Sequence, residues 1–176
     1  MKIAISGKMT SGKTTLATKL MELHPKFVKV AFAAPIYDLA REYFGMVEKD
    51  RDLLIHIGEA FRAKDEAVWT KAFLRKVAKL EAEGKWILVD DLRMPQEHQV
   101  LRENGFRLIR LNVSVAEQER RLKSKYPNTF EEHIEKREHL TESALDEEYD
   151  WDLYATQDAP HEWVYNIASV FSAAEQ

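Results

Sequence analysis

Apolar residues fall into short runs of strand length, separated by stretches in which they recur with helical spacing. The runs Lys2 to Ser6, Phe27 to Phe32, Trp86 to Asp90 and Phe106 to Asn112 are apolar enough for strands buried on both faces, and Asp152 to Ala155 is a weaker fifth. Helical spacing covers Lys13 to Leu23, Ile36 to Phe44, Arg51 to Arg62, Glu66 to Ala82, Gln96 to Glu103, Val115 to Lys125 and His161 to Ala173. Gly45, Gly84 and Gly105 supply natural stops. Strands alternating with helices predict an α/β fold, a three-layer sandwich in which a five-stranded parallel sheet is flanked by helices on both faces. Residues 1–176 read as a single domain without repeats. Two connections, Ala33 to Lys85 and Val113 to Trp151, are longer than a plain crossover, and such excursions are where a second-substrate site and its cover are built. The expected division is a core of 1–32, 83–112 and 151–176, an acceptor-binding region at 33–82 and a lid region at 113–150.

Composition narrows the classes. A chain of 176 residues that is 45% hydrophobic suits one compact domain with a genuine core. A formal charge of −4 argues against broad electrostatic capture of duplex nucleic acid. The absence of cysteine excludes disulfides and thiolate metal sites. No signal-like start and no apolar run of spanning length are present, so no membrane partner is expected and a soluble, cytoplasmic protein is.

The chemistry begins at Gly7-Lys8-Met9-Thr10-Ser11-Gly12-Lys13-Thr14, a complete G-x-x-x-x-G-K-[ST] phosphate loop between a strand and a helix. Polyphosphate must be wrapped by backbone N–H groups, which requires glycine where a side chain would block the approach. Lys13 is expected to reach the β- and γ-phosphates, Thr14 to offer its hydroxyl to Mg²⁺, and Thr15 to touch the α-phosphate. ATP with Mg²⁺ follows as the expected donor. The strand Trp86 to Asp90 ends in Asp90 and Asp91, candidates for the metal shell, with Asp91 close to the transferring group. Hydrolytic relatives of this motif often place a glutamate after the strand-tip aspartate to orient water. Here Arg93 follows, a group suited to gripping a second phosphate, which favours transfer to an acceptor. No Asn-Lys-x-Asp element for reading guanine is present.

A cationic cluster, Arg120, Arg121, Lys123 and Lys125, with Lys136 and Arg137 further on, offers candidates for closing over the phosphates, Arg120 or Arg121 above all. The competing expectation is a solvated helix face paired with Glu117 and Glu119. The histidines show no convincing metal-ligand spacing, and the acidic run Glu142 to Asp152 reads as a solvated loop.

Taken in order, several segments resemble the phage-type deoxynucleoside monophosphate kinases over nearly the whole chain. They are the phosphate loop, Ala31-Phe32-Ala33-Ala34-Pro35-Ile36 with Phe44-Gly45, Leu54-Ile55-His56-Ile57-Gly58 with Arg62 and Trp69, Asp91-Leu92-Arg93-Met94-Pro95-Gln96-Glu97, Leu108-Ile109-Arg110-Leu111, and His139-Leu140-Thr141-Glu142 with Leu145-Asp146. The resemblance implies a P-loop kinase fold, ATP and Mg²⁺ as donor, and a deoxynucleoside monophosphate as acceptor. Lys13 and Thr14 would hold the donor, Asp91 would sit near the transferring group, and Arg93 would bind the acceptor phosphate. By the same resemblance Arg62 and Glu97 would be further acceptor contacts, with Glu97 a candidate for the base or sugar. Phe32, Tyr37 or Trp69 could stack on the base, with Phe32 preferred. Met94, Gln96 and Thr141 stand where the family commonly has an aromatic residue, asparagine and serine, which bears on base preference. The family often forms homodimers. Two alternatives are a P-loop kinase for another small metabolite, such as phosphomevalonate or a nucleoside, and an ATP-dependent binding switch without an acceptor.

Overall fold

The computed structural model describes residues 1–136, 144–146 and 149–156. In chain order these form β1 (Lys2–Gly7), α1 (Lys13–Leu23), β2 (Phe27–Lys29), α2 (Ala34–Phe44), α3 (Arg51–Lys64), α4 (Val68–Ala82), β3 (Trp86–Leu92), α5 (Pro95–Glu103), β4 (Arg107–Asn112), α6 (Val115–Lys125), α7 (Phe130–Lys136) and β5 (Leu153–Thr156). All the strand pairs are parallel, in the order β2-β3-β1-β4-β5. The helix expected at His161 to Ala173 lies outside the described residues, as do Arg137, His139 to Glu142 and Trp163.

Strand alternation divides the core between the two faces. Ile3, Ile5, Leu88, Ile109 and Leu111 pack with Leu16, Ala17 and Leu20 of α1 on one side. Ala4, Ile87, Val89 and Leu108 pack with Phe73, Val77 and Leu80 of α4 and Leu101 of α5 on the other. The inner strands are thus buried on both sides, which explains their unbroken apolar runs. A smaller cluster of Ile36, Ala40, Ile57 and Trp69 joins α2, α3 and α4 into a unit beside the sheet.

This topology positions the site. From β1 the chain crosses to β2 through α1, and from β3 it crosses the opposite way to β4 through α5, so β1 and β3 are neighbours whose connections part to opposite faces. A crevice opens at their carboxyl ends, the usual ligand position of an open α/β sheet. The phosphate loop leaves β1 there and Asp91 to Arg93 leave β3 there.

The structure alters three local expectations. The strand expected through Phe32 ends at Lys29, because the Ala34 and Ile36 amides turn back to Ala31 and Ala33 and Pro35 opens α2. Phe32 therefore leaves the sheet and stacks on Phe73, with ring centroids 4.0 Å apart. A short helix that the periodicity does not predict, α7, follows α6. Where described, the acidic stretch expected to be solvated is tied into the fold. Leu145 is buried, Asp146 carries two ion pairs, and Asp152 accepts from the Leu108 amide at 2.6 Å and from Arg102 at 2.8 Å.

Candidate active site

The phosphate loop is shaped by its own backbone. Gly7 has φ 153°, and a Cβ there would lie 2.4 Å from Ser11 Oγ and 2.5 Å from the Leu111 carbonyl oxygen, so no side chain fits. Thr10 and Gly12 also have positive φ, 62° and 99°. Lys13 Nζ donates to the carbonyls of Gly7 and Lys8, lying back across the loop that it is expected to serve. Thr14 and Thr15 are exposed in the first turn of α1, where free amides and the helix dipole favour an anion. Thr10 Oγ1 and Ser11 Oγ are buried with no hydrogen-bond partner among the described residues. Orphaned hydroxyls around a ring of amides suit a loop completed by a polyphosphate.

Neighbouring elements brace this loop. Gln118 of α6, which is buried, donates to the Met9 carbonyl at 3.0 Å, and Arg121 donates to the Thr10 carbonyl at 3.1 Å. Lys8 pairs with Asp146 at 2.6 Å, and Asp146 also pairs at 2.6 Å with Arg110, a buried arginine of β4 that donates to Ser6 Oγ at 2.8 Å. Met9 and Lys8 are thus each tied to a different part of the fold. Of the two arginines expected to close over the phosphates, Arg121 is the one the structure brings to the loop. Arg120, 65% exposed, is held in a two-pronged pair by Glu117, which also binds Arg121. These two guanidiniums draw the Glu117 carboxyl down to about 2.

At the tip of β3 the two aspartates have separate environments. The β1–β3 register slips by one residue between Ala4 and Ser6, so β3 carries an extra residue at Asp90-Asp91. Asp90 is buried and engaged by Lys29 Nζ at 2.6 Å. Lys29 is not among the residues the sequence singles out, although a lysine inside an otherwise apolar strand run is a usable signal. Asp91 Oδ1 is buried with no partner among the described residues. Burial, then the charges of Glu97 and Asp90, push the Asp91 carboxyl up from 3.8 to about 6, against the pull of Lys29 and Arg93.

Asp91 lines a cavity of about 840 Å³ together with Phe32, Arg62, Trp69, Arg93 and Glu97, so every acceptor-side candidate reaches one space. Tyr37, Arg41 and Lys49 join them. Arg41 and Lys49 lie 5.5 and 5.9 Å from the Tyr37 ring centre. Two candidates also have structural duties. Glu97 accepts from the Arg93 and Met94 amides at 3.0 and 3.1 Å, closing the N-terminus of α5, and burial raises its pKa. Trp69 is buried, donates to the Gly58 carbonyl at 3.1 Å and packs its ring 5.2 Å from Phe61. Phe32, stacked on Phe73, has one face occupied, whereas Tyr37 is half-exposed at the cavity wall.

Residues 3–150 match the family described as AAA domain. In fold the chain is similar to the APS kinase CysC of Mycobacterium tuberculosis, solved with AMPPNP and APS, at TM-score 0.56 and 14% identity over 99% of this chain and 98% of that one. It is also similar to TT1252 of Thermus thermophilus, at TM-score 0.60 and 17% identity over 100% and 98%. No curated protein sequence matches it. The fold is that of the P-loop kinases. No helix among the described residues is long and apolar enough to cross a membrane.

Proposed function

The chain belongs to the AAA domain family, and we propose that within its P-loop kinase fold the protein is an ATP-dependent deoxynucleoside monophosphate kinase. The observation that carries this reading is the cavity beside the β3 tip, which gathers Arg93, Arg62, Arg41 and Lys49 with Phe32, Tyr37 and Trp69 next to the phosphate loop's crevice. Cations and aromatic faces in one space suit a ligand with an anionic end and a planar end. Its volume lies within the range of small-molecule sites.

The donor's polyphosphate lies on the loop amides, with Lys13 leaving the Gly7 and Lys8 carbonyls for the β- and γ-phosphates. Mg²⁺ would neutralise charge on the donor phosphates and would need few protein ligands. Thr14 and Asp91 are the side chains that fit it, the first exposed at the α1 N-terminus and the second with an unpartnered oxygen. Asp90, engaged by Lys29, orders the strand tip beside them. Arg93 holds the acceptor phosphate, and an oxygen of that phosphate attacks the γ-phosphorus in line. One P–O bond forms to the acceptor, the bond from the γ-phosphorus to the bridging oxygen breaks, and ADP departs. The acceptor phosphate is already ionised near neutrality, so no strong base is required.

A coupled ADP-release assay across the common dNMPs, a hydroxymethylated pyrimidine dNMP, nucleosides and phosphomevalonate tests the reading. Turnover stimulated by one or more dNMPs and not by nucleosides is expected. Stimulation by a nucleoside or phosphomevalonate alone moves the protein to another kinase class, and ATP binding without stimulation by any acceptor makes it a switch.

A further inference from the structure

We propose that the acceptor site has a second chamber built for an anionic group, so that its fullest ligand is a nucleoside monophosphate bearing a second phosphate or a carboxylate away from the reacting end. The inference rests on the acceptor reading above and deepens it. A further cavity of about 500 Å³ adjoins the acceptor cavity, and Tyr37, Lys49 and Arg62 line both. The remaining wall includes Arg51, Leu54, Ile55, Gly58 and Glu59, all from α3.

Spacing explains how one helix makes this wall. Arg51, Leu54 or Ile55, Gly58 and Arg62 follow one another by three or four residues, so they form a single stripe along α3 about 16 Å long. A cation stands at each end of the stripe, and its middle is apolar or bare. Arg62 lies over Gly58, its Nη1 3.3 Å from where a Cβ would stand, and the Trp69 indole donates to the Gly58 carbonyl.

Charge distinguishes the chambers. In the acceptor cavity Arg41, Lys49, Arg62 and Arg93 face four carboxylates, Asp38, Glu66, Asp91 and Glu97. In the second chamber Lys49, Arg51 and Arg62 face Glu59 alone. Among the described residues neither Arg51 nor Arg62 forms an ion pair, whereas Arg41 has Asp38 and Lys71 has Asp65. Three cations lining one concavity with a single carboxylate give it a net positive charge that suits an anion.

The test is calorimetric titration at fixed ionic strength with the dNMP that best stimulates turnover, its 3′-phosphorylated form and its analogue carrying a carboxyl on the base. At least one of the two doubly anionic ligands is expected to bind about tenfold tighter than the plain dNMP, the gain of one charge-assisted hydrogen bond. Which of them gains tells whether the second anion is carried by the sugar or the base. Arg51→Glu should remove the gain and leave the plain dNMP affinity unchanged. It places a carboxylate in the first turn of α3, where the helix dipole favours one. Glu59→Gln, which removes the chamber's carboxylate, should increase the gain. Plain dNMP binding with no gain for either derivative, or a gain that survives Arg51→Glu, overturns the inference alone. Failure of all three ligands to bind overturns the acceptor reading and the inference together.

Discussion

The two ends of the candidate site are built in opposite ways. The donor end is one contiguous stretch, Gly7 to Thr15, whose shape comes from backbone dihedrals and the close approach of Gly7 to Ser11 and Leu111. The proposed acceptor end is assembled from the turn after β2, α2, α3, α4 and the tip of β3, and its side chains owe their places to tertiary packing. A site made of backbone tolerates few substitutions and shows itself in a motif. A site made of distant side chains can be retuned one residue at a time, which would separate the proposed acceptor choice from phosphate chemistry.

That contrast can be broken by substitution. The largest effect is expected for Lys13→Ala, which should lower turnover by about 10²–10³-fold or more in the ADP-release assay. Gly7→Ala comes next. Its methyl meets backbone oxygen as well as a side chain, so nucleotide binding should be lost and unfolding should come about 1–3 kcal/mol more easily in a denaturant titration. Arg93→Ala should raise KM for the monophosphate about 10–100-fold and leave KM for ATP unchanged. Smaller still is the lid pair, since Arg121→Ala removes a contact to the loop and should raise KM for ATP several-fold, while Arg120→Ala, at an exposed pair, should stay close to the parent protein. The subtlest effect concerns pH. The Asp91 pKa is raised in the folded protein, from 3.8 to about 6, so between those values the native state binds more protons than the unfolded chain, and stability falls as pH rises through that window. Asp91→Asn should flatten this fall, which melting temperatures measured from pH 4 to 7 will show.

Legibility followed the same divide. The strands at β1, β3 and β4 are readable because burial on both faces demands unbroken apolar runs, and the phosphate loop because its spacing is set by backbone geometry. Where tertiary contacts decide, the sequence is less informative. Pro35 marks locally that the run ends early, but nothing local tells that Phe32 stacks on Phe73, or that Glu97 closes α5 as well as facing the cavity. Lys29 and Arg110 stand inside apolar strand runs, a signal for a buried partner that does not identify Asp90 or Asp146. The acidic run misleads because charge alone suggests solvent, while Asp146 and Asp152 find buried or half-buried cations and amides far along the chain.

The central claim is that two anionic ligands occupy separate ends of one crevice, with Arg93 holding the acceptor. Equilibrium binding of the preferred dNMP and of a non-hydrolysable ATP analogue to the Arg93→Ala variant tests it most directly. The account predicts parental affinity for the ATP analogue and an affinity for the monophosphate weakened about 10–100-fold. Undiminished monophosphate binding would contradict it.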